Sequence, residues 1–471
     1  MKKIALHWQI LFALILSIIY GVVFNTNYII SNDSLTYLKK ANISSEIISE
    51  LKPLQNNVYK TKAELKADIS LKTNIDFSKY GSIIIKSAYD NTPIDWISWL
   101  GVLFLRALKM LIIPLVFSSL ISGVANLGGG DNLGRLGFKT LGYYLLTSTL
   151  AIVTGLFFVN IIKPGIGMTP DIGDISNLPH LANSADSIGQ TLMEIIPVNI
   201  FSVMAKGNML PIIFFAILLG FFINKIGDKP RIILTDFFNA FFDLMMKITM
   251  WVIRFTPLGI FGIVAKQIAD QDDLLGLVSS MGLYMGTVLI ALTVHAFITL
   301  PILTRILGKA NPIKHFKSVT TPLLTAFSTS SSGATLPLTM NAVEKNDGVS
   351  NKISSFTLPL GATINMDGTA LYELVAAMFI AQVYGHDMTI VQQIIMVVTA
   401  LLASIGAAAI PMAGMVMLTV VLTAVGLPLE GVGLILAVDR ILDMFRTSVN
   451  VWSDTCGAVI IAKSEGEKLK V

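Results

Sequence analysis

Asp439, Asp443, Arg446, Asn450 and Asp454 sit inside an otherwise apolar run, Gly431–Ala462, with Arg440 beside them. On a helix turning about 100° per residue, the five fall within about 80° of one another and Arg440 lies just outside. Each charge costs roughly 2.5–3.5 kcal/mol at the centre of an inserting helix, so the stripe must line a protein interior. An ion-pair ladder buried between helices is the competing reading, but three Asp against one Arg do not balance. Asp367 and Glu373, in the preceding apolar run, add to the negative surplus. Such an interior suits cations, and carboxylate, amide and backbone oxygens are ligands for Na⁺. The five His are scattered and Cys456 is the single cysteine, so no transition-metal spacing arises. Arg446 presents a planar fork that matches a carboxylate. Asp443, about one turn away, can take an ammonium. Together they fit a zwitterion with an additional acid group.

The rest of the chain must hold that stripe within a membrane. Of 471 residues, 54% are hydrophobic and only 14% charged, with a mean hydropathy of +0.72. A soluble domain carries about 25% charge, so soluble enzymes and disordered chains are excluded. The net charge of +4 is too small to point to nucleic acid. Long apolar runs such as Ile112–Leu127 and Gly142–Ile162 lack the alternation of a β-barrel and are sized for helices. The sequence therefore predicts an all-α polytopic membrane protein embedded in a lipid bilayer.

Leu6–Phe24, behind Lys2 and Lys3, reads as a retained first helix rather than a cleaved signal peptide, because no small-residue cleavage site follows. Asn25–Asp95 holds nine Lys and eight Asp or Glu and reads as a polar external insertion with helical stretches such as Ser45–Leu51. Spans are expected at Trp96–Leu127, Leu141–Ile162, a broken Ile188–Ile226, Ile232–Ala265 and Leu274–Leu303. Basic connections alternate with acidic ones (Asp171, Asp174, Asp186, Asp270, Asp387), which places both termini in the cytoplasm. Trp96, Trp99, Tyr20 and Tyr28 are expected interface anchors. His295 alone of the histidines falls within a span, where it is expected to be packed and hydrogen-bonded.

The last third breaks the pattern. Thr320–Glu344 and Val391–Pro428 each read as two half-length helices meeting at a small-residue tip, "STSSSGATLP" and "SIGAAAIPMAG". Spanning helices Ser355–Val383 and Gly431–Ala462 follow them. Paired broken segments in matching positions point to a transporter site. The expected architecture is eight transmembrane helices plus two re-entrant helical hairpins. Its parts are a first helix (1–24), the insertion (25–95), helices 2–6 forming a scaffold and part of the transport domain (96–317), and a transport core (318–471).

The two tips, "YYLLTS" (143–148), "LPLGATINMDGTALYE" (358–373) and "DRILDMFRTSVNVWSD" (439–454) closely resemble the glutamate transporter family of dicarboxylate/amino acid:cation symporters. The likeness covers nearly all of the chain outside 25–95. It implies inverted repeats, for which an archaeal member is a known example, and a homotrimer. It implies that Asp443 holds the substrate amino group and Arg446 its side-chain carboxylate. Ser332, Thr369, Ile410, Gly414, Thr447 and Asn450 match further substrate positions. Three Na⁺ sites are implied: Gly361, Asn365, Asn450 and Asp454; then Thr363, Ser404, Ile405 and Ala407; then Tyr144, Thr147, Ser148, Asn365 and Asp367. Asp439 matches a structural acid. Glu373 matches the animal pattern, in which this Glu carries a proton. Ser330 and Met444 stand where archaeal and animal members, respectively, carry an Arg, and Met412 stands where some have Gly.

The resulting expectation is a secondary active symporter of the bacterial inner membrane that is not an enzyme. It imports aspartate or glutamate with Na⁺, with H⁺ coupling through Glu373, by alternating access. The same fold carrying a C4-dicarboxylate, a neutral amino acid or cystine is the near alternative. An ion channel or receptor is the distant one.

Overall fold

The computed structural model describes residues 6–126, 131–167, 196–270, 274–405 and 413–471. Thr92–Ala125, Arg135–Ile162, Gly276–Ile306 and Asn351–Val383 are long and apolar enough to cross a membrane, and consecutive helices Asp228–Ile253 and Thr256–Ala269 add a fifth if read as one span. Phe157, Ile161, Phe221 and Phe222 are exposed on these and neighbouring helices. Large apolar side chains exposed on helices of this kind suit a lipid-facing or protein-facing wall. Asp171, Asp174, Asp186, Ala407, Ile410 and Met412 lie outside the described residues.

The chain divides into two compact units, 1–106 with 169–178 and 254–278, and 107–168 with 179–253 and 279–471. In the first, Leu6–Val23 packs along Thr256–Ala269. The polar stretch after it is not simply helical. Asn27–Ile29 is the central strand of a small sheet, antiparallel to Val58–Tyr59 and Tyr89–Asp90, with Tyr28 opposite Tyr59 and Tyr89. Helices Asn32–Lys40, Ser45–Leu51, Lys62–Lys72 and Phe77–Ala88 accompany it, around a core that includes Leu38, Leu51, Leu54, Leu65, Ile69 and Ile84. Ser31 and Ser34 form a reciprocal capping box, and Thr61 accepts from Glu64 N at 3.1 Å. The small sheet qualifies the all-α expectation only locally, and the chain stays predominantly helical. Strands of two or three residues are too short to show alternation. The expectation for Tyr28 is corrected: it is buried in this core rather than anchoring an interface, whereas Trp96 and Trp99 are exposed.

In the second unit the first hairpin is Thr320–Thr329 and Ser332–Ala342, and its arms pack on each other. Its tip turns at Ser330, which takes a left-handed conformation (φ 51°), and Ser331 then caps the outgoing arm through Ala334 N at 3.2 Å. The second hairpin has arms Ile390–Ile405 and Ala413–Ala424, again packed together. Its tip lies outside the described residues.

Besides the expected span Ile232–Ala265, which forms two helices, Asp228–Ile253 and Thr256–Ala269, two further spans depart from the expected plain helices. The run over 355–383 is broken into Asn351–Ile364 and Asp367–Val383, with Asn365 and Met366 non-helical between them. The run over 274–303 widens to a π-helix at His295–Thr299 before continuing as Leu300–Ile306. Pro301 lies just beyond. Its ring cannot donate and crowds the carbonyl four residues back, which favours the wider turn. The last helix, Val432–Ser464, runs unbroken. It packs on both arms of the first hairpin, both halves of the broken helix, Ala413–Ala424 and Asp131–Ile162.

Candidate functional site

The break at Asn365–Met366 frees backbone groups that must find partners away from water. The last helix supplies them. Asn450 Oδ1 accepts from Gly368 N at 2.8 Å and Thr369 N at 3.4 Å, while its Nδ2 donates to Thr369 Oγ1 at 3.0 Å. A side chain on one helix thus caps the amino end of another. One turn further on, Asp454 Oδ1 accepts from Asn365 Nδ2 at 2.9 Å. Ser453 Oγ accepts from the same nitrogen at 3.0 Å and donates to Asp367 Oδ2 at 2.6 Å.

The helix Asp131–Ile162 closes the other side. Thr147 Oγ1 is 3.3 Å from Asn365 Oδ1, and Ser148 Oγ donates to Asp367 Oδ1 at 2.6 Å. Tyr144 Oη donates to the Thr357 carbonyl at 2.7 Å. The π-helical stretch brings His295 Nε2 to 3.1 Å from Asp367 Oδ2, so His295 is packed and hydrogen-bonded as expected. Gly361 has no side chain because there is no room for one: a Cβ would lie 2.5 Å from Asp454 Oδ1 and 2.7 Å from Tyr144 Oη. Asn365, Asp367, Asp454, Thr147, Ser148 and Tyr144 are all buried. The structure therefore gathers the residues of the first and third expected cation sites around one break. Its oxygens come mostly from neutral hydroxyl, amide and carbonyl groups, with two carboxylates. A donor set of such modest charge fits a monovalent hard cation.

The second cluster lies along the last helix toward its amino end. Arg446 is 1% exposed. Its Nη2 donates to Asp443 Oδ1 at 2.7 Å, its Nη1 is 3.2 Å from Asp439 Oδ1, and its guanidinium lies 3.8 Å from the Tyr372 ring centroid. Arg440 Nη1 is 3.6 Å from Asp443 Oδ2. Thr447 Oγ1 donates to the Asp443 carbonyl at 2.7 Å. Gly414 stands close by, where a Cβ would fall 2.8 Å from Arg446 Nη1. At the first hairpin, Ser332 Oγ donates to the Ala362 carbonyl at 3.1 Å. Glu373 is fully buried, and neither carboxyl oxygen has a hydrogen-bond partner among the described residues.

Of the remaining expected set, only the side chains of Thr363 and Ser404 fall among the described residues. Thr363 is exposed and its hydroxyl turns back to the Leu360 carbonyl at 3.0 Å. Ser404 turns to the Leu401 carbonyl at 2.8 Å, and no hydrogen bond joins the two among the described residues. The side chain of Ile405, with Ala407 and Ile410, lies outside what is described. Sequence reasoning missed Ser453 and Tyr372. Their positions beside Asp454 and Glu373 were the available signal, but which face each presents depends on packing.

The chain matches the model of the sodium:dicarboxylate symporter family over residues 6–464. It is 38% identical over 418 residues to excitatory amino acid transporter 3 of Mus musculus, covering 79% of each chain. It is 38% identical over 419 residues to the Homo sapiens protein of that name, again 79% of each. It is 37% identical over 372 residues to the proton/sodium-glutamate symport protein of Bacillus subtilis, covering 78% of this chain and 86% of that one.

Proposed function

The chain belongs to the sodium:dicarboxylate symporter family, and from that premise we propose that it imports an acidic amino acid, aspartate or glutamate, with Na⁺ by alternating access. It is a multi-pass membrane transporter and not an enzyme. In the proposed reading it has eight spanning helices and two re-entrant hairpins in inverted repeat, divided as the sequence suggests, and works as a homotrimer in the inner membrane with both termini cytoplasmic.

The observation that carries the substrate is the pairing of Arg446 with Asp443 at 2.7 Å, both buried. Substrate must exchange this pair for its own groups. An ammonium takes Asp443 and a side-chain carboxylate takes Arg446, so both protein charges stay paired. A neutral amino acid leaves Arg446 with Asp439 as its remaining anion, at 3.2 Å, and a plain dicarboxylate leaves Asp443 with Arg440 as its remaining cation, at 3.6 Å. Either exchange replaces a close buried pair with a longer or more crowded one, which favours the acidic amino acid over both. The cluster around Asn365, Asp367 and Asp454 supports sodium as the coupled ion. Asn450 connects the two, since it caps the broken helix within the same stripe as Arg446. This geometry supports coupling, with cation and substrate ordering the same break. Glu373 is the group proposed to carry H⁺ beside Na⁺.

Uptake of labelled aspartate into proteoliposomes tests this. Accumulation against a gradient is expected with inward sodium and should vanish when sodium is equal on both sides. Downhill flux alone would favour a channel, and uptake of succinate or alanine in place of aspartate would overturn the substrate assignment.

A further inference from the structure

Ser453 belongs to no expected substrate or cation set, yet it joins the two sides of the break. Asn365 and Asp367 flank Met366, and the Ser453 hydroxyl meets both, at 3.0 and 2.6 Å. An amide nitrogen only donates, so the hydroxyl must accept from Asn365 and direct its one proton to Asp367. Asp454 takes the second proton of the same amide at 2.9 Å. With its NH₂ held by Ser453 and Asp454, Asn365 has to turn its carbonyl oxygen the other way, toward Thr147 at 3.3 Å. Asp367 is treated alike. Its Oδ2 is engaged by Ser453 and by His295 at 3.1 Å, which leaves Oδ1 aimed at Ser148. Both side chains therefore present an oxygen to the Asp131–Ile162 helix and are gripped from behind. Trp452 fixes the register of this grip, since its Nε1 donates to the Ala296 carbonyl, next to His295, at 2.9 Å.

We propose that Ser453 is a positioning residue for the cation taken between Asn365, Asp367 and the hydroxyls of Thr147 and Ser148. It sets sodium affinity by holding the amide and carboxylate in their ligating orientation. The inference rests on the sodium-coupled reading above. Without the hydroxyl, Asn365 loses one acceptor for its NH₂ and Asp367 loses one donor, so both can rotate away from the cation. Hydrogen-bonded partners behind metal ligands change affinity by about 10–100-fold.

The test uses the full-length purified transporter. Aspartate binding is titrated by calorimetry across a range of sodium concentrations, and the melting temperature is followed against sodium alone, since an ion that binds the folded state raises it. In Ser453→Ala the sodium midpoint should rise about tenfold in both measurements. Aspartate affinity at saturating sodium should stay at the wild-type value. Ser453→Thr, which keeps the hydroxyl, should return the midpoint toward wild type. A serine that merely packs would lower the melting temperature without sodium and leave the midpoint in place, and that result overturns the proposal. If the wild type shows neither sodium-dependent stabilisation nor sodium-linked aspartate binding, the sodium-coupled reading itself fails, an outcome distinct from an unmoved midpoint in the variant.

Discussion

Replacing Gly361 with Ala adds one methyl group where the proposed cation ligands Asp454 and Tyr144 converge. The new Cβ would stand 2.5 Å from Asp454 Oδ1 and 2.7 Å from Tyr144 Oη. Ordinary C···O contacts begin near about 3.3 Å, so roughly 0.6–0.8 Å must be found. Neither neighbour yields freely. Tyr144 is committed to the Thr357 carbonyl at 2.7 Å, and Asp454 to Asn365 at 2.9 Å. Overpacking of this kind costs about 1–3 kcal/mol. Against it stands the better helix propensity of Ala over Gly, about 0.8–1 kcal/mol, since Gly361 lies within a helix. Global stability should therefore change little, from near neutral to a loss of about 2 kcal/mol. In the proposed reading Asp454 is a ligand, so its displacement also weakens ion binding. Each 1.4 kcal/mol is tenfold in affinity, so sodium affinity should fall by about ten- to a hundredfold. Sodium titration of aspartate binding by calorimetry reads this directly. Gly142→Ala is the control. It also lies in a helix, but nothing stands within 4 Å of its Cβ position, so stability should rise slightly and the sodium dependence stay put. Wild-type sodium dependence in Gly361→Ala would refute the reasoning, because a Cβ would then fit where the geometry leaves no room.

Four further outcomes are expected. Arg446→Thr should shift selectivity from acidic to neutral amino acids, and competition against labelled aspartate uptake checks it; unchanged aspartate affinity would sink the assignment. Asp367→Asn and Asp454→Asn should each raise the sodium concentration needed for half-maximal aspartate binding, since linkage passes the loss at the ion to the substrate. Glu373→Gln should keep aspartate binding and homoexchange, while net uptake loses its response to a proton gradient in liposomes at fixed sodium. At the end of the last helix, Glu465 accepts from Lys139 at 2.6 Å and from Arg135 at 2.5 Å, which holds its carboxyl below the usual range, the Lys139 hydrogen bond contributing most. A depressed carboxyl stabilises above its ordinary value near about 4.3 and is lost as pH falls through the folded value. Protection of the 465–471 amides against hydrogen exchange should therefore be flat from about pH 8 to 5 and drop below about 4 in the wild type, but be low throughout in Glu465→Gln.

What the sequence revealed tracks how local the cause is. The stripe on Val432–Ser464 was readable because helical spacing alone brings Asp439, Asp443 and Arg446 together, and the structure pairs these three. The first hairpin was readable from one run of small residues. The small sheet was not, because Tyr28 finds Tyr59 and Tyr89 only after the chain folds back on itself twice. His315 and Asp347 show the same limit: they lie 32 positions apart, unremarkable in the sequence, and meet at 2.9 Å, both fully buried.

The break at Asn365–Met366 belongs between these cases. Nothing local forces it, since Pro359 lies within the preceding helix and Gly368 within the following one. A helix interrupted at membrane depth survives only if other side chains take over its lost backbone bonds. Asn450, 82 residues from Gly368, does so by accepting from its N–H. The break is thus a property of the pair of helices. The stripe on the last helix bears on both: its carboxyl half meets the broken helix at Asn365 and Asp367, the proposed cation ligands, and its amino half carries Asp443 and Arg446. Asn450 stands between the two, so in the proposed reading a substrate held by Arg446 would act on the residue one turn away that caps the break. An ion held at Asn365 and Asp367, as proposed, would act on the same cap from the other end. That shared element is the physical basis for expecting ion and substrate to bind together rather than independently.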